Sequence, residues 1–166
     1  MRKALFLDRD GTVNVEKNYL WRPEEFELLP GILELVRAAR ERGYAAVVCT
    51  NQSGIARGYY TEADYRRLTE HMSGIFEAAG CPLLAVYHCP ELSGPRRKPA
   101  PGMFLQAAEE LGLDMPASLS LGDKVRDAEA GHAAGVGRNY LLGTEAVESP
   151  AVTGIVAGPA DLIPLL

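Results

Sequence analysis

Cross-links and long apolar runs are both scarce in this chain. Three cysteines, Cys49, Cys81 and Cys89, stand among 166 residues, and no two have the Cys-x-x-Cys spacing. An odd, scattered set encodes neither a disulfide framework nor, by cysteine alone, a zinc knuckle. No stretch approaches the roughly 20 apolar residues of a membrane-spanning helix. The opening "MRKALFLDRDG" is basic, but its apolar run is short and acids follow at once, so it does not read as a secretory leader. A basic excess is missing too. With 17 Lys and Arg against 22 Asp and Glu, the formal net charge is −5, whereas binding a phosphate backbone wants a basic face. Repeats and low-complexity segments are absent. These absences leave a single domain, residues 1–166, expected to be monomeric and to work in a reducing, cytoplasmic compartment. Neither nucleic acid nor membrane is an expected partner.

What is present is an alternation. "KALFLD" (3–8), "YAAVVCT" (44–50), "LLAVYHC" (83–89), "SLSLGD" (118–123), "GRNYLLG" (137–143) and "TGIVAG" (153–158) read as short buried strands. Between them lie helical patterns at 31–43, 61–80, 101–112 and 125–135, and "PADLIPLL" reads as a closing helix. Ile32, Leu35, Val36 and Ala39 share one helical face, and Thr61 reads as an N-cap. Strands alternating with helices imply right-handed crossovers and an α/β fold, a mostly parallel sheet with helices on both faces. Residues 12–30 and 90–100 are the most irregular stretches.

Ligands of such sheets bind at the carboxyl ends of the strands. Four strand ends here carry chemistry. "LFLDRDGTVN" places Asp8 and Asp10 two apart, with Gly11 to allow a sharp turn. A DxD of this kind reads either as a solvated acidic turn or as a nucleophile beside a proton carrier. "VVCTNQSGIARG" offers Thr50, Asn51 and Ser53, whose hydroxyl and amide groups suit phosphate oxygens as well as an ordinary capped turn. Lys98, in "GPRRKP", is either part of a solvated basic loop or a phosphate ligand held by prolines. Asp123 closes "SLSLGD" and, with Asp8, supplies hard oxygen ligands of the kind Mg²⁺ prefers, while Asp127 sits four residues on as a supporting group.

In that order, at four strand ends, the motifs resemble those of the haloacid dehalogenase-like phosphatases, in the branch of the histidinol and heptose-bisphosphate phosphatases. "LFLDRDGTVN", "LLPGILELV", "VVCTNQSGIARGYYTE", "RKPAPGM" and "LGDKVRDAEAGHAAGVG" carry the resemblance over nearly the whole chain. It implies a Rossmann-like three-layer sandwich with no large cap domain. It also implies a phosphomonoester hydrolase that removes the 7-phosphate of a heptose 1,7-bisphosphate, a lipopolysaccharide-precursor reaction. The alternative within the branch is histidinol phosphate or another small phosphomonoester. Asp8 would form an aspartyl-phosphate, Asp10 would be general acid and then base, and Thr50 and Lys98 would hold the transferring group. Mg²⁺ would be bound by Asp8, Asp10 through its backbone carbonyl, and Asp123. Asn51, Ser53, Arg57, Arg97 and Lys124 would face the sugar phosphate.

One departure stands out. Relatives in this branch carry a Cys-x-His and Cys-x-Cys zinc loop before Arg-Lys-Pro, and here that stretch is "HCPELSGPRRKP". Only Cys89 is kept. A structural zinc wants four ligands, so no zinc is expected. A signalling receiver domain also gathers acids, a hydroxyl, a lysine and Mg²⁺ on a parallel sheet. It would place its phosphorylated aspartate in mid-chain, where this third strand ends "VYHCP".

Overall fold

The computed structural model describes residues 1–166. Its strands are β1 (Lys3–Leu7), β2 (Tyr44–Asn51), β3 (Ala85–Cys89), β4 (Leu119–Gly122), β5 (Arg138–Leu142) and β6 (Gly154–Val156). Its helices are α1 (Ile32–Glu41), α2 (Glu62–Ala78), α3 (Gly102–Leu111) and α4 (Val125–Ala133). The strands form one sheet in the order β3-β2-β1-β4-β5-β6, and every pairing is parallel.

Alternation along β1 divides the core. Leu5 and Leu7 join Ile32, Leu35, Val36, Met72 and Phe76 of α1 and α2 on one face. Ala4 and Phe6 join Met103, Phe104 and Ala107 of α3 and Ala130 of α4 on the other. Each fully buried Leu or Phe contributes roughly 1.5–3 kcal/mol, and both faces of β1 are dry. Helix α2 starts on the expected cap: Asp64 N donates to Thr61 Oγ1 at 3.1 Å, and Thr61 N donates back to Asp64 Oδ2 at 3.0 Å.

The chain winds outward from β1 to β3, then returns and winds the other way from β4 to β6. The reversal lies between β1 and β4, so a crevice opens beyond their carboxyl ends. No cap domain interrupts this core, as expected. The closing segment is a helix as the sequence reads, and Pro159–Leu165 is of the 3-10 type. Pro164 inside it removes a backbone donor, and 3-10 geometry is common in segments this short. No helix is long and apolar enough to cross a membrane.

Candidate active site

Asp8 follows β1 directly, and its backbone N–H donates to Leu121 O of β4 at 3.2 Å, which fixes the residue at the crevice. Lys98 arrives from the loop before α3. It is 2% exposed, and its Nζ donates to Asp8 Oδ1 at 2.9 Å and Cys49 O at 2.7 Å. It also pairs with Asp127 Oδ1 at 2.7 Å. Oxygens of Asp8, Asp123 and Asp127 lie within 4.8 Å of one another.

One ammonium is therefore shared by two carboxylates, with the third, that of Asp123, beside them. Burial opposes the charge on Lys98, but Asp127 and Asp8 outweigh it and hold the lysine above its ordinary range. The surplus negative charge appears on the acids. Burial and then Asp127 push Asp8 well above the usual carboxylate value, against the pull of Lys98. Asp123 is raised by burial and by Asp127. Asp123 Oδ1 is also buried without a hydrogen-bond partner, a costly state for a carboxylate oxygen unless a cation meets it.

Asp127 itself is already engaged. Its Oδ2 accepts the backbone N–H groups of Asp123 at 3.2 Å and Lys124 at 3.0 Å, in the first turn of α4. Gly11 lets the chain pass this cluster. It has φ +88°, and a Cβ there would overlap the Asp123 carboxylate.

Asp10 lies apart from the triad, and its carboxylate is turned toward donors. Oδ1 accepts Arg9 Nε at 3.3 Å and Asn14 Nδ2 at 3.1 Å. Oδ2 accepts Arg9 Nη2 at 3.0 Å and Gln52 Nε2 at 3.0 Å. Thr50 Oγ1 accepts the same Gln52 Nε2 at 2.9 Å.

These groups line a cavity of about 410 Å³ that also admits Asn51, Ser53, Arg57, Arg97 and Lys124. Of the catalytic, metal and substrate-binding candidates named from the sequence, all but Asp123 line that cavity, and Asp123 is joined to it through Asp8 and Asp127. Asn51 clasps the Lys98 backbone from both ends of its amide: Nδ2 donates to Lys98 O at 3.1 Å, and Oδ1 accepts Lys98 N at 3.0 Å. Arg57 Nε donates to Ser53 Oγ at 3.3 Å. Lys124 Nζ stands 3.7 Å from Asp123 Oδ2.

Several lining residues had no sequence signal. Arg126, Glu16 and Tyr19 are on the wall, and Asn18 and Tyr19 both have left-handed backbone (φ 52° and 61°). Tyr19 packs edge-on to Tyr59, ring centroids 4.8 Å apart. Gln52 and Tyr60 are buried beside Asp10. Asp127 was legible as a support, by its spacing from Asp123, but not as a second partner of Lys98. Cys89, at the end of β3, turns its thiol to Glu91 Oε2 at 3.0 Å and stays outside the cavity.

Comparison with known proteins places these features in context. The model of the haloacid dehalogenase-like hydrolases matches residues 3–135. The chain is 43% identical over 176 residues to D-glycero-alpha-D-manno-heptose-1,7-bisphosphate 7-phosphatase of Burkholderia mallei, covering 99% of this chain and 93% of that protein. It is 44% identical over 151 residues to the corresponding beta-heptose enzyme of Yersinia pestis, covering 85% and 80%. Among solved structures, D,D-heptose 1,7-bisphosphate phosphatase from B. bronchiseptica, in complex with magnesium and phosphate, superposes with a TM-score of 0.88 at 28% identity. It covers 98% of this chain and 97% of that one.

Proposed function

Because the chain belongs to the haloacid dehalogenase-like hydrolases, we propose that it is a Mg²⁺-dependent phosphatase that removes the 7-phosphate of a heptose 1,7-bisphosphate. The observation that carries this reading is the Lys98 ammonium shared by Asp8 and Asp127, next to a buried Asp123 oxygen with no partner. Phosphoryl transfer asks for positioning and charge neutralisation more than for covalent chemistry, and this cluster supplies both.

The donor set fits a hard divalent cation. Asp8 and Asp123 would hold it with the backbone carbonyl of Asp10, in the oxygen-rich surroundings that Mg²⁺ prefers. Both oxygens of Asp127 are already taken by Lys98 and by backbone N–H groups, so its role is to orient Lys98. When bound, the cation offsets the negative charge of the phosphate and of the nucleophile.

Asp8 attacks the phosphorus, and the bond to the sugar oxygen breaks. Lys98 and Thr50 hold the transferring group, and Asp10 gives the leaving oxygen a proton. Asp10 then takes a proton from water as that water attacks the aspartyl-phosphate. The phosphorus–Asp8 bond breaks, inorganic phosphate leaves, and the Asp8 carboxylate is restored. Arg57, Arg97 and Lys124 at the cavity mouth bind the second phosphate, and Asn51 and Ser53 complete the wall. A polar cavity of about 410 Å³ is within the size range of small-ligand sites.

The loop ahead of Lys98 stands without zinc in this reading. Cys89 donates to Glu91. Arg96 Nη2 donates to Gln106 Oε1 at 3.0 Å, and Gly102 N donates to Pro95 O at 2.9 Å.

The test is phosphate release with Mg²⁺ from both anomers of heptose 1,7-bisphosphate, fructose 1,6-bisphosphate and histidinol phosphate, with Asp8→Asn as the blank. One heptose anomer should be preferred by at least about ten-fold in kcat/KM, an amount worth a single well-made contact. Preference for histidinol phosphate, or equal weak turnover of all four, overturns the heptose reading. Equal inactivity of the wild type and Asp8→Asn overturns the phosphatase reading.

A further inference from the structure

Gln52 is not needed by the mechanism above, yet it is 2% exposed and makes more polar contacts than most of the residues that are. Its Nε2 donates both to Asp10 Oδ2 at 3.0 Å and to Thr50 Oγ1 at 2.9 Å. A glutamine amide is nearly symmetric in shape, so its orientation depends on its partners. Here the partners leave one choice. Oε1 accepts Arg9 Nη2 at 3.2 Å and the Tyr60 hydroxyl. Both are donors, so the oxygen must face them and the NH₂ must face Asp10 and Thr50.

Arg9 is fixed in turn: it is 1% exposed and donates to Leu20 O at 3.0 Å. Burial holds the Tyr60 phenol above its ordinary range, which keeps it a donor. A Cβ on Gly54 would overlap the Tyr60 ring, so the ring's position depends on glycine there.

We propose that Gln52 is a positioning residue whose amide, oriented by Arg9 and Tyr60, holds the acid–base carboxylate of Asp10 in register with the phosphoryl-binding hydroxyl of Thr50. The inference rests on the phosphatase reading and names a residue that reading leaves idle. A group that orients a reacting side chain acts on kcat more than on KM, because misplacement of about 1 Å costs the transition state far more than the ground state.

Three variants test it by steady-state kinetics on the preferred heptose bisphosphate and by thermal melting. Gln52→Met removes the amide at similar size and should lower kcat roughly ten- to thirty-fold, with KM within about two-fold. Gln52→Glu is the closer isostere, but it turns a carboxylate toward the Asp10 carboxylate and should lower kcat by more than about 100-fold. Its carboxylate keeps Arg9 paired but repels the buried Asp10 carboxylate, so it should melt no higher than Gln52→Met. Tyr60→Phe leaves Arg9 on Oε1 and should cost only about three-fold. A purely structural role would instead raise KM or lower kcat alike on every substrate, in step with the melting temperature. Loss of leaving-group assistance is a second signature: Gln52→Met should lose less on 4-nitrophenyl phosphate, whose leaving group needs little protonation, than on the sugar phosphate. Unchanged kcat in Gln52→Met and Gln52→Glu, or losses that follow melting temperature alone, overturn the proposal. Asp8→Asn, assayed alongside, separates that failure from failure of the phosphatase reading, because it must be inactive if the aspartyl-phosphate route holds.

Discussion

At the scale of single residues, charge balance around Lys98 decides what the site can do. The side chain reaches Asp8, Asp127 and the Cys49 carbonyl at 2.7–2.9 Å, and no water-exposed position could impose that geometry. Removing one partner of a buried, hydrogen-bonded ion pair typically costs about 3–5 kcal/mol, because the other partner is left uncompensated. Lys98→Met should therefore abolish turnover to below about a thousandth of wild type and, without Mg²⁺, lower the melting temperature at pH 8 by about 6–20 °C for a domain of this size. The loss should shrink toward pH 5. Asp8 is already raised by burial, and without the lysine it takes up a proton more readily, which removes the uncompensated charge. Thermal melts of both proteins across that pH range check this; a pH-independent difference would mean that packing of the lysine stem, not its charge, is what the fold loses. Asp127 shows why the sequence reading stopped short here. Its spacing identified a helix-start support, and the support is real, but the same carboxylate also faces a lysine 29 positions earlier, and that contact depends on the sheet order.

At the scale of elements, the strand ends were legible and the cross-loop contacts were not. Buried apolar runs ending in Asp8, Thr50 and Asp123 are visible as text because strands β1, β2 and β4 must be apolar on both faces and may turn polar only where they leave the sheet. The same logic identified four helices by their apolar faces. At Pro159–Leu165 it identified the closing helix but not its 3-10 type, which Pro164 and the shortness of the segment favour. It also gave no sign of Gln52 and Tyr60: a neutral amide and a phenol in a loop look like any turn until the loop is packed against Asp10. Gly11 belongs between these cases. The sequence marked it as a turn, and the structure adds that its missing side chain leaves room for the Asp123 carboxylate. Gly11→Ala should then cost twice. Left-handed backbone at alanine is unfavourable by roughly 1–2 kcal/mol, which lowers the melting temperature by about 2–8 °C. Displacement of Asp123 should also weaken Mg²⁺ binding by at least about ten-fold, which a magnesium titration followed by activity or calorimetry reads directly. A drop in melting temperature with Mg²⁺ affinity unchanged would show that Asp123 can move aside without loss.

At the scale of the whole molecule, the fold concentrates unfavourable charge at the β1/β4 crevice, and a divalent cation is what would relieve it. The sign of the pH dependence follows from the two raised acids. Asp8 and Asp123 lie above their unfolded values, chiefly through burial and then through Asp127. A carboxyl group raised on folding stabilises the fold while it is protonated, below its unfolded value, and that contribution is lost as pH rises through its folded value. Metal-free protein should thus lose stability from about pH 4 upward as these groups are forced to ionise. Mg²⁺ needs the ionised form, so its binding releases protons and strengthens with pH. With free Mg²⁺ at about a hundred times its dissociation constant, linkage supplies about 2.7 kcal/mol, or about 5–11 °C in melting temperature for a chain of this length. The expected result is a gain of that size at pH 8, measured in MgCl₂ against EDTA by scanning fluorimetry, and a smaller gain as the pH is lowered. A zinc-selective chelator added in the presence of Mg²⁺ should shift nothing, because Cys89 is paired with Glu91 and the loop is held by its own hydrogen bonds. A Mg²⁺ gain that is flat with pH, or largest at pH 5, would mean that the acids around Lys98 do not titrate with the metal, and the cation would then have to be sought away from Asp8 and Asp123.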